Sequence, residues 1–512
     1  MNKKLSLLPL LFLLLVSCNN PVDNKDTISF NVVAINDFHG AIEEKDGSMG
    51  LAKIGTYLKK RGQEANTLTL DQGDDWQGSI YSNYNKGKLV NDVFAEAKMS
   101  ARTIGNHDFD WGLEPIKENT AREYEGYKLP VLAANVYDYT FETKTEGDIQ
   151  QADIGQKSIV YTLENGLKVG VVGVIGKNQI TSITSTYVRD ICFKDHVQVM
   201  KDVAKELRNE EKCDVVIGCV HADKKDVMNE RLNECLDLVL CGHSHQYSLA
   251  REGNLLFAQF GSNGEMIGDI SLKYDKKQKK VVDAQVEVID PSNINEKINK
   301  VDENIQNIIN TYNQECDEES SEVLANNVPY YFYRYGAAPN MMCKAIYDEA
   351  IKEGYDDIVL SFTNESRENL TNNNNQVTYA NLYEAFPFDN IVYIVEISGY
   401  DMLHEIVNYN NVCLNPTFDG VVNINSKYKI AVIDFLIFHT NAYRNYDYFS
   451  SFDGAVLGQL NNNYRIILKE WLINNGYNNG KELNAFKQFD SSLPSFDKSI
   501  IREGWDDYEK KL

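Results

Sequence analysis

The sequence has no Cys-x-x-Cys pair. Its nine cysteines are scattered singly, which excludes a structural zinc ribbon or finger. Beyond the N-terminal segment it has no apolar run long enough to cross a bilayer. It has no internal repeat, which excludes a solenoid of short units. Positive charge is scarce: 51 Lys and Arg stand against 75 Asp and Glu, a net charge of −24. Such a surface repels phosphate backbones and excludes an extended nucleic-acid binder. A small phosphorylated ligand stays open, because bound metal inverts the local field. What is present is ordinary for a soluble globular chain: 43% hydrophobic and 25% charged residues, too apolar for dominant disorder. At 512 residues the chain is expected to hold two or three domains.

The N-terminus reads as an address. Lys3 and Lys4 precede an apolar stretch, Leu5–Val16, interrupted by Ser6 and Pro9. It is too short to span a membrane comfortably and fits a secretory signal. The following Leu15-Val16-Ser17-Cys18 resembles a bacterial lipobox. That resemblance implies a signal peptide over residues 1–17 and a lipid anchor at Cys18. Residues 18–27 would then be a tether, and the chain would be exported onto the bacterial membrane, at the cell surface or periplasmic face. An ordinary signal peptide with an incidental cysteine is the alternative. Among the other eight cysteines, Cys213, Cys219 and Cys241 flank strand-like apolar runs and are expected to be buried. An exported protein could oxidise some of the eight, and the sequence gives no pairing.

From Ile28 to about Ile289, apolar runs alternate with helical patterns. Ile28–Ile35, Thr67–Leu70, Val131–Ala134, Val169–Ile175, Val215–Val220 and Leu236–Leu240 read as strands. Leu51–Arg61 and Val197–Asn209 read as helices. The alternation implies an α/β fold with a largely buried sheet. Asn254–Ile289 reads as several strands joined by turns. Asn293–Ser321 reads as one amphipathic helix connecting two domains. The domains are then 28–292 and 322–512, with 293–321 as connector. In the second, Asn340–Glu353, Gly399–Asn408 and Asn461–Asn475 read as helices, and Ile358–Phe362, Ile391–Ile397 and Tyr428–Ile433 as strands. Asn372–Asn375 reads as a loop.

Five strand ends carry the chemistry: Asn36-Asp37-Phe38-His39-Gly40, Gly73-Asp74, Gly105-Asn106-His107-Asp108-Phe109-Asp110, His221, and Gly242-His243-Ser244-His245. Ligand sites in open α/β sheets form beyond the carboxyl ends of strands. Each fragment alone reads as a polar loop or turn. Together they hold His39, His107, His221, His243 and His245, five of only 8 histidines. Unrelated turns would not concentrate so scarce a residue. The donor set of Asp, His and Asn suits first-row divalent metals such as Zn, Mn, Fe or Co.

This series of fragments resembles the calcineurin-like metallophosphoesterases. The longer Asn-Asp-x-His-Gly, Gly-Asp-x-x-Gln-Gly and Gly-Asn-His-Asp-Phe-Asp patterns, with Trp111-Gly112, resemble the bacterial 5′-nucleotidase branch. That branch includes UDP-sugar hydrolases and 2′,3′-cyclic-nucleotide phosphodiesterases. The resemblance is strong to about residue 290 and weak after about 322. It implies an αββα sandwich followed by a smaller α+β substrate domain, with a hinge in the connector. By the same resemblance Asp37, His39 and His245 bind one metal and Asn106, His221 and His243 the second, with Asp74 bridging. A metal pair so held makes hydroxide available near neutral pH. His107 then stabilises the transition state or assists the leaving group, and Asp110 orients its ring. A helix N-cap before Leu113 is the competing role for Asp110.

In the second domain, Phe386-Pro387-Phe388-Asp389-Asn390 resembles the family's Phe-Pro-Phe-Gly-Asn stretch. Phe418 and Phe435 resemble the two aromatic walls for a nucleobase, and ordinary core packing accounts for either equally well. Two stretches depart. Asn-x-Gly-Gly-Ile-Arg becomes Asn364-Glu365-Ser366-Arg367 after Phe362-Thr363, which keeps the arginine and loses the glycines. Gly-Gly-Asp-Gly-Tyr becomes His439-Thr440-Asn441-Ala442-Tyr443, which loses the aspartate and keeps Tyr443. Arg367 could pair with a phosphate or simply sit on the surface. The resemblance thus implies a 5′-nucleotidase that releases phosphate from nucleoside monophosphates, with no obligate protein partner. Cyclic nucleotides, UDP-sugars or a non-nucleotide phosphoester are alternative substrates, and thiosulfohydrolase chemistry is a more distant one. A lipid-anchored binding protein with a relict site is the non-enzyme alternative.

Overall fold

The computed structural model describes residues 26–45, 47–139, 150–188, 190–326, 328, 332–371, 374–408, 412–414, 418, 421–438 and 454–475. The expected signal segment, Cys18 and Tyr443 lie outside them. The first domain opens with β1 (Thr27–Ile35), helix α1 (Gly50–Gly62), β2 (Thr67–Asp71) and the short α2 (Ile80–Asn83). Helix α3 (Lys88–Glu96), β3 (Ala101–Thr103) and β4 (Val131–Leu132) follow. Then come β5 (Ser158–Thr162), β6 (Lys168–Ile175), α4 (His196–Asn209), β7 (Val215–His221) and β8 (Leu238–Cys241). A run of strands closes the domain: β9 (Tyr247–Glu252), β10 (Leu255–Phe260), β11 (Ile267–Asp275) and β12 (Lys280–Ile289).

These strands make two six-stranded sheets, β12-β11-β1-β2-β3-β4 and β9-β10-β8-β7-β6-β5. The side-chain period of two decides how they stack. Phe30, Val32 and Ala34 of β1 share a core with Val215, Ile217 and Cys219 of β7. The intervening Val33 and Ile35 face α1 and α3 through Leu51, Ile54, Leu58 and Val93. On the far side, Val216 and Val220 of β7 meet Met200, Val203 and Ala204 of α4. The layers are helix, sheet, sheet, helix, which is the expected αββα sandwich. Cys213, Cys219 and Cys241 are buried, as the apolar flanks implied.

The connector is not one helix. It is two, α5 (Ile294–Ile298) and α6 (Glu303–Ser320). Asn299 ends the first with φ of 65°, and the Asp302 carboxylate caps the second by accepting from the N–H groups of Asn304 and Ile305. The apolar period ran unbroken through this interruption. Ile305, Ile308 and Ile309 belong to the first-domain core, whereas Cys316 belongs to the second.

The second domain is α+β. Its five-stranded sheet runs Val412–Leu414, Leu360–Phe362, Lys427–Ile433, Ile391–Ser398, Ala455–Asn463. The helix expected from Asn461 begins at Tyr464, because Ala455–Asn463 is a strand. That strand sits at the sheet edge and is mostly exposed, so it carries no apolar alternation to betray it.

Candidate active site

The parallel pairing of β2 with β1 and with β3, and of β7 with β8, brings all five fragments to one edge of the sandwich. Beyond the strands the loops keep pairing: Asp37, His39 and Gly40 N–H donate to the carbonyls of Gly73, Asp74 and Asp75 at 2.8–2.9 Å. Asp37, His39, Asp74, His243 and His245 all take positive φ, between 48° and 76°. Left-handed backbone at five non-glycine residues in one place is strain of the kind that functional sites store.

The ligand atoms sort into two groups, Asp37, His39 and His245, and Asp74, His221 and His243, each within 4.8 Å. Asn106 belongs with the second, since its Oδ1 lies 3.1 Å from His221 Nε2 and 3.0 Å from His243 Nδ1. Asp74 reaches both groups. Its Oδ2 is 3.1 Å from His221 Nε2 and 4.0 Å from His39 Nε2. The resemblance implied the same residues around two cations.

The donor chemistry fits divalent metal. His221 Nδ1 meets the Gln72 carbonyl at 2.8 Å, and His39 Nδ1 meets the Gln77 carbonyl at 3.0 Å. A carbonyl only accepts, so each Nδ1 carries a proton and each Nε2 is the nitrogen turned inward. His221 Nε2 thus faces two oxygen acceptors, and His39 Nε2 faces His245 Nε2 at 3.0 Å. Asp74 Oδ2 is buried and accepts no hydrogen bond. Ligand atoms crowded around a buried carboxylate oxygen that accepts no hydrogen bond are what a cation reconciles.

The protonation equilibria show the same crowding. Burial, with Asp74 adding to it against the pull of His221, pushes Asp37 up to about 7. Burial drops His243 to about 3 and His245 to about 4. Burial opposes charge on His221, but Asp74 overrides it and lifts the ring to about 9. Burial likewise opposes charge on Asp74, and His221 and His107 reverse it, holding that carboxyl well below its usual range.

Beside the cluster, His107 N–H donates to Asp74 Oδ1 at 2.8 Å, and His107 Nδ1 meets Asp110 Oδ2 at 2.8 Å. The helix that follows is capped at Gly112 without a side-chain hydrogen bond, so Asp110 faces the imidazole and not the helix. Gly105 is required by the approach of Asp74: a Cβ there would lie 2.1 Å from Asp74 Oδ1. Gly105→Ala is expected to displace that carboxylate and lower metal affinity roughly 10–100-fold. Calorimetric titration with Mn or Zn would show it.

Sequence reasoning missed a salt network below these loops. Arg102 is fully buried, with Nε donating to Asp75 at 2.9 Å and Nη2 to Asp108 at 2.7 Å. Its guanidinium lies 4.2 Å over the Trp76 ring. The arginine ties the loop of Asp74 to the loop of Asn106 and His107. Asp108 sits inside one quoted fragment and Asp75 directly follows another, but nothing in a three-residue strand marks Arg102 as their partner.

The second domain supplies Arg367, whose Nη2 stands 3.4 Å from His39 Nε2. A cleft of 480 Å³ opens there between the domains. Lys45, Ser79 and Asn263 line one wall, and Arg367, Asn369 and Glu384 the other. Phe418 and Phe435 are half-buried and pack on the second-domain core, Phe418 edge-on to Tyr428 with centroids 6.5 Å apart.

The calcineurin-like phosphoesterase family matches residues 30–247. An apyrase of Tabanus yao is 31% identical over 45% of this chain and 42% of its own length. Cell wall protein Lmo0130 of Listeria monocytogenes is 24% identical over 90% of this chain and 65% of its own. This chain therefore spans less than two thirds of either relative. The 5′-nucleotidase precursor of Thermus thermophilus shares the fold, with a TM-score of 0.68 at 16% identity over 87% of this chain and 96% of that one. Sequence match and ligand geometry agree that residues 30–247 carry a calcineurin-like phosphoesterase domain, in a chain whose two-domain fold is similar to that of a bacterial 5′-nucleotidase precursor.

Proposed function

We propose that the chain is a metal-dependent phosphoric ester hydrolase that releases phosphate from nucleoside 5′-monophosphates. The observation that carries the reading is the pair of ligand groups sharing Asp74 beside the His107–Asp110 dyad. Asp37, His39 and His245 would hold one divalent cation. Asn106, His221 and His243 would hold the other, with Asp74 on both. Such a pair, when bound, acidifies a water molecule and holds the phosphoryl oxygens. The chain's own groups do the rest. Arg367 offers a guanidinium to a phosphoryl oxygen at the mouth of the cleft. Asp110 occupies His107 Nδ1, which leaves Nε2 to hold a proton for the departing oxygen. Asp110 and Asp74 favour that protonated ring: burial opposes it, and their charge raises it above its usual value. His107→Ala is expected to lower kcat roughly 10²–10⁴-fold while elemental analysis still finds both metals.

Relatives named apyrase and 5′-nucleotidase support a nucleotide as the substrate class. The lost glycines at Asn364–Arg367 favour a second reading, a phosphoester outside the nucleotides. Phosphate release by the purified chain with Mn or Zn separates them, using AMP, UDP-glucose, 2′,3′-cyclic AMP and bis-p-nitrophenyl phosphate with an EDTA control. Metal-dependent turnover of AMP far above the artificial diester is the expected result. Turnover of the diester alone would move the substrate outside simple nucleotides, and none at all would favour the binding protein. Export and tethering through Cys18 belong to the same proposal, and Cys18→Ala is expected to release the chain from the membrane fraction.

A further inference from the structure

One ring of the second domain lies on the histidine of the first. Phe388 stacks on the His107 imidazole with centroids 5.8 Å apart and planes inclined by 25°. Two further sides of that imidazole are taken. Asp110 holds Nδ1, and the His39 ring stands edge-on with its centroid 5.4 Å away.

The turn that carries Phe388 is held from both domains. On its own side, the buried Arg465 donates from Nη1 to the carbonyls of Phe386 at 3.3 Å and Phe388 at 2.7 Å, and from Nη2 to the Asp389 carboxylate. The guanidinium is itself fixed, 3.7 Å over the Tyr383 ring. From the first domain, Asn83 Nδ2 donates to the Pro387 carbonyl at 3.4 Å. The same amide's Oδ1 accepts from Gly78 N–H at 2.9 Å, in the loop that begins at Asp74. A group gripped on both flanks is oriented before any substrate arrives.

We infer that Phe388 is a positioning residue for His107, supplied across the domain boundary. Asp110 fixes one nitrogen and still allows the ring to rock about that hydrogen bond. A flat ring on its face removes this freedom and fixes the direction of Nε2. The inference rests on the proposed hydrolysis, in which His107 gives a proton to the leaving oxygen.

The test compares Phe388→Ala, Phe388→Leu and Phe388→Tyr in the full chain loaded with Mn. Alanine and leucine are expected to lower kcat on AMP roughly 10–100-fold, with KM and metal content unchanged, and tyrosine to restore it. With p-nitrophenyl phosphate, whose leaving group departs without a proton, the loss shrinks to a few-fold. Equal losses on both esters would overturn the inference, because a structural defect does not depend on the leaving group. Carbethoxylation by diethyl pyrocarbonate, mapped by peptide mass, reads the stack without any turnover. The His107 rate is expected to rise several-fold in Phe388→Ala while that of the remote His196 stays constant. An unchanged His107 rate overturns the inference, whether or not the chain hydrolyses any ester tested.

Discussion

Asp74→Asn is expected to abolish phosphoester hydrolysis and to loosen both metals. Asp74 is fully buried, and its two oxygens have separate tasks. Oδ1 accepts the His107 N–H, which seats the imidazole. Oδ2 lies within 4.0 Å of an imidazole nitrogen from each ligand group. The amide keeps the shape but removes the charge that offsets two cations, and it aims N–H or a weaker acceptor at their position. Charge stabilisation by a metal pair is worth several kcal/mol, so turnover is expected to fall by at least about 10³-fold. Elemental analysis after gel filtration is expected to find less than the full metal complement. A variant with wild-type phosphate release would sink the two-metal assignment, since Asp74 is the carboxylate placed to bridge the two groups.

Arg102→Met carries the second large effect, and it is an effect on stability. The substitution leaves Asp75 and Asp108 buried without their cation, beside Asp71. Breaking a buried ion pair on one side costs about 3–5 kcal/mol. For a domain of this size the melting temperature is expected to fall by roughly 6–20 °C. The pH dependence follows from the carboxyls. Burial already pushes Asp108 up to about 6 and raises Asp71, even with Arg102 present. A carboxyl whose folded-state pKa lies above its unfolded value costs stability as pH rises through that interval. The deficit of the variant is therefore greatest at about pH 8 and partly recovered at about pH 5. Calorimetry across that range checks it, and an unchanged melting temperature would show that the network does not hold the two loops.

The layers of the first domain could be read because their signals are local. Phe30, Val32 and Ala34 alternate with Val33 and Ile35 inside one short strand, so its two faces are written in adjacent residues. The break at Asn299 could not be read this way. Its neighbours continue the apolar period, and the turn depends on one residue in left-handed backbone and on Asp302 capping the next helix. The edge strand Ala455–Asn463 was hidden for the opposite reason. With one paired side and little burial, it needs no apolar pattern.

The candidate site divides along the same line. Sequence by itself determined which residue types stand at the strand ends: Asp37, His39, Asp74, Asn106, His221, His243 and His245 are donors a divalent cation selects. The pairing of His107 with Asp110 was implied by the resemblance beside a competing helix-cap role, and the structure places Asp110 on the imidazole. The family resemblance implied how the donors divide, and only the tertiary structure shows what brings each group together. His39 meets His245 across 206 residues of chain, and Asp74 touches both groups because β2 lies between β1 and β3. It alone put Arg102 beneath the loops and Phe388 on His107. Both contacts join segments whose own sequences are satisfied locally. Their partners follow from strand order and domain packing, which no short window of residues contains.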